Sequence, residues 1–194
     1  MIKYDVVYAD PAWQYGSKEL YGDKDKNGKR KNRFRDLERK YNTMTVPEIK
    51  ELAVSEIINT NAVCFLWVTD SHLKEGIEVL ESWGFKYKTI AFVWIKKTNK
   101  GNTFVNFAPH TLKSSEICLL GIKGTTKDLK TDNTIRQLIE AERTEHSKKP
   151  NEARIRIEKL YRNAKRIELF ARQKYNNWHS WGDEIESDIN LMVL

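Results

Sequence analysis

The feature that most narrows the folds open to this chain is an alternation of short β-type runs with segments of helical period. Tyr4 to Ala9, Ala62 to Val68, Tyr87 to Ile95, Glu116 to Ile122 and Arg166 to Phe170 are apolar or β-branched runs of strand length, and Thr134 to Ala141 leans the same way. Between them lie helical patterns. Thr45-Val46-Pro47-Glu48 has the form of a capping box with Pro in the first turn, opening a short helix to about Leu52. Asp70 or Ser71 is placed to cap a helix carrying Leu73, Ile77 and Leu80 that stops near Gly84. Pro150 starts another helix, running through Tyr161 with Ile155, Ile157 and Leu160 on its apolar side. This order predicts an α/β domain with a largely parallel sheet. With 194 residues, no internal repeat and no Pro/Gly/Ser-rich linker, the expectation is one domain over 1–194.

Two long polar segments interrupt the pattern. Lys96 to Ser115 reads as a loop, and Ser17 to Lys40 as a longer one holding ten Lys/Arg against five acids. That net of +5 is most of the chain's +7, and an excess of this kind favours a polyanion as partner. No run approaches the ~18 apolar residues a membrane span needs, and the first residues carry no apolar signal region, so a cytosolic protein without a membrane partner is expected. Cys64 and Cys118 each sit inside an apolar run with no second ligand at zinc spacing. Both read as reduced core residues, and no metal site is expected. The four histidines (His72, His110, His146, His179) show no metal spacing and read as surface, loop or packing residues.

The chemistry concentrates where the first strand stops, since in parallel sheets the carboxyl ends of strands hold ligands. Asp10-Pro11-Ala12-Trp13 sets a carboxylate, a backbone carbonyl and a large aromatic plane within four residues. Alkylation of an aromatic amine needs acceptors for both amine hydrogens, because the nitrogen lone pair is otherwise delocalised into the ring. Asp10 and the Pro11 carbonyl supply such a pair, with Trp13 as a stacking surface for a base. An ordinary Asp-Pro turn with a core Trp accounts for the same four residues.

Five segments, in order, resemble the S-adenosylmethionine-dependent adenine N-6 methyltransferases of the MT-A-seventy type: Asp10 to Trp13; Tyr41-Asn42-Thr43-Met44; Leu66-Trp67-Val68-Thr69 with Trp83-Gly84-Phe85; His146-Ser147-Lys148-Lys149-Pro150; and Ile167-Glu168-Leu169-Phe170-Ala171-Arg172 with Trp178 and Trp181-Gly182. The resemblance implies a Rossmann-like methyltransferase sheet in permuted order, with the catalytic strand first and the cofactor strand last. It implies that Asp10, Pro11 and Trp13 form the catalytic loop, and that Tyr41 contacts the target base. Lys149 then meets the cofactor's carboxylate, with Glu168 orienting it. Phe170, Arg172 and Lys174 fall at cofactor positions after the last strand, Asp183 and Glu184 where the cofactor's adenine is met, and Asp10 also borders the cofactor. Each of these residues also has a plainer reading, as a surface charge or packing group.

Two departures stand out: Ala12 replaces the family's second Pro, and Asn106 to Leu112 replaces its Gly- and Arg-bearing stretch. The implied reaction is methylation of the exocyclic amine of adenine, in DNA rather than RNA given the compact chain. In a duplex the base must be flipped out. Lys29, Arg30, Lys31, Arg33 and Arg35 are placed to grip the backbone, and a homo- or heterodimer would widen the recognition surface. A catalytically silent nucleic-acid-binding relative, with Ala12 as its mark, and a small-molecule amine methyltransferase are the alternatives.

Overall fold

The computed structural model describes residues 2–14, 43–108, 110–144 and 148–191. Seven strands form one sheet in the order β5-β3-β4-β2-β1-β6-β7. They are β1 (Tyr4–Ala9), β2 (Ile58–Val68), β3 (Lys86–Lys97), β4 (Ser115–Lys123), β5 (Leu138–Glu142), β6 (Arg166–Leu169) and β7 (His179–Trp181). Neighbours run parallel except at β4, which is antiparallel to both β2 and β3. The α/β sheet expected from the alternation is therefore present, with a single reversed strand among the described residues. Because β1 pairs with β2 on one side and with β6 on the other, chain order reverses between β1 and β6. Such a switch point opens a crevice at the carboxyl ends of the strands.

Helices cover both faces. Helices α1 (Val46–Glu51), α2 (Val54–Ile57) and α3 (Leu73–Ser82) pack on one side, and α4 (Asn151–Leu160) on the other. Alternation along β1 assigns Val7 and Ala9 to the first core and Val6 and Tyr8 to the second. The first core joins Ile49, Val54, Leu66, Leu80 and Trp83; the second joins Phe65, Trp67, Phe92, Ile157 and Trp178. Cys64 and Cys118 are buried free thiols in these cores, as expected.

The local signals mostly hold. The Thr45/Glu48 capping box is formed, with Pro47 in the first turn. Gly84 ends α3 at φ 84°: its N–H bonds to Glu81 O and that of Phe85 to Leu80 O, the paired bonds of a Schellman cap.

Three readings change, and one strand is added. Neither Asp70 nor Ser71 caps α3, which is preceded by a 3₁₀ turn over Asp70–His72. The Asp70 carboxylate is taken by Lys113 at 3.0 Å, and Ser71 Oγ lies 3.3 Å from His72 Nδ1. Ile155 faces solvent, and α4 buries Ala153, Arg154 and Ile157 instead. The strand expected over 134–141 is Leu138–Glu142, because Asp132 captures the Thr134 N–H and hydroxyl, both at 2.7 Å, in a turn. Finally, β6 is the last central strand, but a short edge strand, β7, follows it in the chain and pairs with it.

Candidate active site

Asp10 leaves the end of β1 at the switch point, and the backbone around it is held from two directions. Trp13 N–H donates to Pro11 O at 2.9 Å, closing a tight turn, while Met44 N–H donates to Ala12 O and Gln14 N–H to Met44 O, both at 3.0 Å. The Asp10–Trp13 turn and Met44, far apart in the chain, are thus laced together by backbone bonds. Ala12 contributes its carbonyl to that lacing, so the missing Pro ring leaves the turn intact. The Pro11 carbonyl retains one lone pair beyond the Trp13 bond.

Lys149, just ahead of α4, is the electrostatic centre. Its ammonium lies 2.7 Å from Asp10 Oδ1 and 3.2 Å from Glu116 Oε2, with Lys96 paired to the other Glu116 oxygen. Lys149 is also 5.6 Å from the Trp67 ring centroid, within cation–π range. Burial works against its charge, but Asp10 and Glu116 outweigh it and hold the Lys149 pKa above its ordinary value. For Asp10 burial wins: the carboxyl sits above the usual value despite the lysine beside it. Glu116 sits below the usual range, its burial overcome by Lys149 and Lys96.

Glu168 does not orient Lys149. It makes a two-point pair with Arg154, whose Nη2 is 2.8 Å from both carboxylate oxygens and whose Nε is 3.0 Å from one. Burial raises the Glu168 pKa in spite of that guanidinium. Arg154 in turn lies face-on to Tyr175, 3.4 Å from its ring centroid, and 5.6 Å from that of Tyr8. Arg154 projects from α4 to β6, and it, not Lys149, takes both Glu168 carboxylate oxygens.

Trp13 is not an open stacking platform. Only 6% of it is exposed, its indole N–H donates to Trp67 O at 3.2 Å, and the His72 ring stacks on it at 5.3 Å and 24°. The core-Trp reading is the one this arrangement supports. His72, read from sequence as a surface, loop or packing residue, is buried against Trp13.

The crevice beside β6 is lined by Asp10, Lys149, Glu168, Phe170, Arg172 and Glu184, together with Tyr8, Lys148, Arg154, Gln173 and Tyr175. Phe170 leaves β6 at φ 60°, a left-handed conformation costly for a side chain with a Cβ. Its ring is braced edge-on by Trp181 at 5.4 Å. Arg172 Nε pairs with Glu184 at 2.8 Å, which links two of the predicted cofactor positions directly. Lys174 turns away: it binds Asp188 at 2.9 Å and does not line the crevice. Asp183 is not among the lining residues either. The structure therefore gathers Asp10, Pro11, Lys149, Phe170, Arg172 and Glu184 at one strand edge. Tyr41, Lys29, Arg30, Lys31, Arg33 and Arg35 lie outside the described residues.

A switch-point crevice on an α/β sheet of this order, with an acid next to a buried lysine, is consistent with a methyltransferase fold. Residues 4–184 match the MT-A70 family, and the chain belongs to that family. It is 35% identical over 188 residues to the Type II methyltransferase M.MunI of Mycoplasma sp, which covers 94% of this chain and 78% of that protein. It is 32% identical to an N(6)-adenosine-methyltransferase MT-A70-like protein of Arabidopsis thaliana and 28% identical to the human N(6)-adenosine-methyltransferase catalytic subunit METTL3. Those matches take in 94% and 95% of this chain but 24% and 28% of the longer proteins, so the chain spans about a quarter of their length.

Proposed function

We propose that this chain transfers a methyl group from S-adenosylmethionine to the N-6 amine of adenine in DNA. The observation that carries this reading is the Asp10–Lys149 pair at the end of β1, 2.7 Å apart and backed by Glu116. The cofactor is a zwitterion with a nucleoside attached, and the crevice residues fit it. Lys149 would take its carboxylate, and Arg172, Glu184 and Gln173 offer donors and acceptors to its ribose and adenine. When bound, the cofactor supplies an electrophilic methyl on a sulfonium.

The chain's own residues do the remainder. Asp10 accepts one amine hydrogen and the free lone pair of Pro11 O the other, drawing N-6 out of conjugation so that it becomes nucleophilic. As the N–C bond forms, the surplus proton leaves N-6 for the Asp10 carboxylate, whose raised pKa suits it to hold a proton briefly. Lys149 keeps that carboxylate oriented between turns of reaction.

DNA is favoured over RNA because the chain is 35% identical to the Type II methyltransferase against 32% and 28% to the two adenosine methyltransferases. The basic segment 17–40 is suited to a phosphate backbone. Incubation with labelled S-adenosylmethionine and duplex DNA is expected to yield N-6-methyladenine on nucleoside digestion. Asp10→Asn should lower the rate by about 10²–10⁴-fold with the circular dichroism spectrum unchanged. Label on cytosine, or on RNA alone, would overturn the reading.

A further inference from the structure

A second cavity opens at the other end of the sheet from Asp10. It has a volume of about 830 Å³ and opens at the amino ends of β1, β6 and β7. Its walls include Tyr4, Trp178 and His179, and its cations are Arg162, Lys165 and Arg166. Arg162 and Lys165 are exposed at the mouth, whereas Arg166 is 8% exposed.

Arg166 is a buried cation with no ion-pair partner among the described residues. Its Nη2 donates to Tyr161 O and, at 2.7 Å, to Arg162 O, capping the end of α4, but its Nε has no hydrogen-bond partner. The one carboxylate lining the cavity, Glu158, accepts the Trp178 indole N–H at 2.7 Å, and no described carboxylate forms an ion pair with Arg166. The guanidinium is held by the Tyr161 and Arg162 carbonyls and by the Trp178 ring 6.0 Å away, with Glu158 near enough to favour its charge, but a buried donor left without an acceptor, as Nε is, is costly unless a ligand completes it. Three lining cations against one lining acid leave the cavity positive.

From this geometry we infer that the cavity is a second binding site, distinct from the catalytic crevice, for the phosphate of a nucleotide. Arg162 and Lys165 meet the phosphate at the mouth, with Arg166 behind them as the fixed positive charge. A volume of about 830 Å³ is ample for one nucleotide, since small-ligand sites run to roughly 300–1,000 Å³. Asn163 and Asn177 offer amide groups to a base or sugar, and the Tyr4, Ala164 and Trp178 surfaces give it apolar contact. The phosphate has two possible sources, a free nucleotide or one unit of a nucleic-acid strand.

Cytidine monophosphate is the probe, because the adenine reading of the catalytic crevice gives it no reason to bind there. By isothermal titration calorimetry on the full chain, it is expected to bind saturably with S-adenosylmethionine present at saturation. Arg162→Gln with Lys165→Gln should weaken binding by roughly tenfold or more, and Arg166→Met likewise. The exposed pair keeps the test decisive if Arg166→Met does not fold. Loss of cytidine monophosphate binding with duplex affinity unchanged would assign the site to free nucleotides; weaker duplex binding in the paired variant would assign it to a strand. If the paired variant alters neither, or S-adenosylmethionine displaces the nucleotide, the inference is overturned. Methyl transfer to adenine can survive that result, so this site and the proposed activity fail separately.

Discussion

Lys149 answers to two carboxylates at once, and that arrangement has a measurable consequence for each partner. Its own ionised form is stabilised: the folded pKa lies above the unfolded value of 10.5, so its contribution to stability is complete below that pH and is lost only as pH rises through the folded value. Asp10 is raised by burial and by Glu116, and restrained chiefly by Lys149 with a lesser lowering from Arg172. Lys149→Met removes the chief restraint and leaves both raising influences, so the Asp10 midpoint should move to higher pH. A carboxyl-¹³C titration followed by NMR reads this directly, and a midpoint at the same or a lower pH would show that Lys149 does not hold the carboxylate. Asp10 and Lys149 were both legible as site residues because they stand in motifs. Glu116 was not: a Glu at the start of a β-type run looks like a solvated end residue. Only the register of β4, which sets Glu116 opposite Trp94 and delivers it to the carboxyl edge of the sheet, brings it to Lys149. Arg154 was hidden in the same way, since an arginine among charged helix residues carries no sign of the ring faces and carboxylate it will meet.

Among the elements, α3 is fixed to the sheet at one point of close approach. A Cβ added at Gly76 would lie 2.3 Å from Val68 Cγ1 and 3.3 Å from Leu119 Cδ1, so the helix approaches β2 and β4 only because that side chain is absent. Ala would gain at most about 1 kcal/mol in helix propensity. Overpacking costs typically 1–3 kcal/mol, and a clash with a β-branched neighbour that cannot rotate away falls in the upper part of that range. Gly76→Ala should therefore lower the melting temperature by a few degrees, at roughly 2–4 °C per kcal/mol for a chain of this size. Combining it with Val68→Ala should cost less than the sum of the two single changes, a coupling that differential scanning calorimetry resolves. The helix itself was legible from Leu73, Ile77, Leu80 and the Gly84 stop; the close approach was not, because a helix-interior glycine says nothing of what lies opposite. Strand direction was equally silent. The run over 116–122 has the pattern of its parallel neighbours, and the reversal of β4 follows from the connection over 98–114, which returns to the edge β3 left. β7, of three residues, is too short to register as a periodic run.

At the scale of the whole molecule, charge is distributed unevenly: of the net +7, the segment 17–40 contributes +5, so the remaining residues carry +2. In sequence only Gln14, Tyr15 and Gly16 separate the segment from the Asp10–Trp13 turn. Phosphate contacts release counterions, so the logarithm of the binding constant falls with the logarithm of salt concentration, with slope about −0.9 per neutralised phosphate on duplex DNA and about −0.7 on single strands. Replacing Lys29, Arg30, Lys31, Arg33 and Arg35 by Gln takes five charges from the segment and leaves it neutral. If these residues grip the backbone, duplex affinity should drop and the slope should become shallower by up to about 4, in proportion to the number of phosphates no longer neutralised. Fluorescence anisotropy across a salt series measures both quantities. A lower affinity with the slope unchanged would mean that the segment acts through shape or through the fold rather than through phosphate neutralisation. An unchanged affinity and slope would move the nucleic-acid interface to other cations, such as Lys97, Lys100 and Lys113 around the β3–β4 connection, which leaves the same carboxyl edge of the sheet.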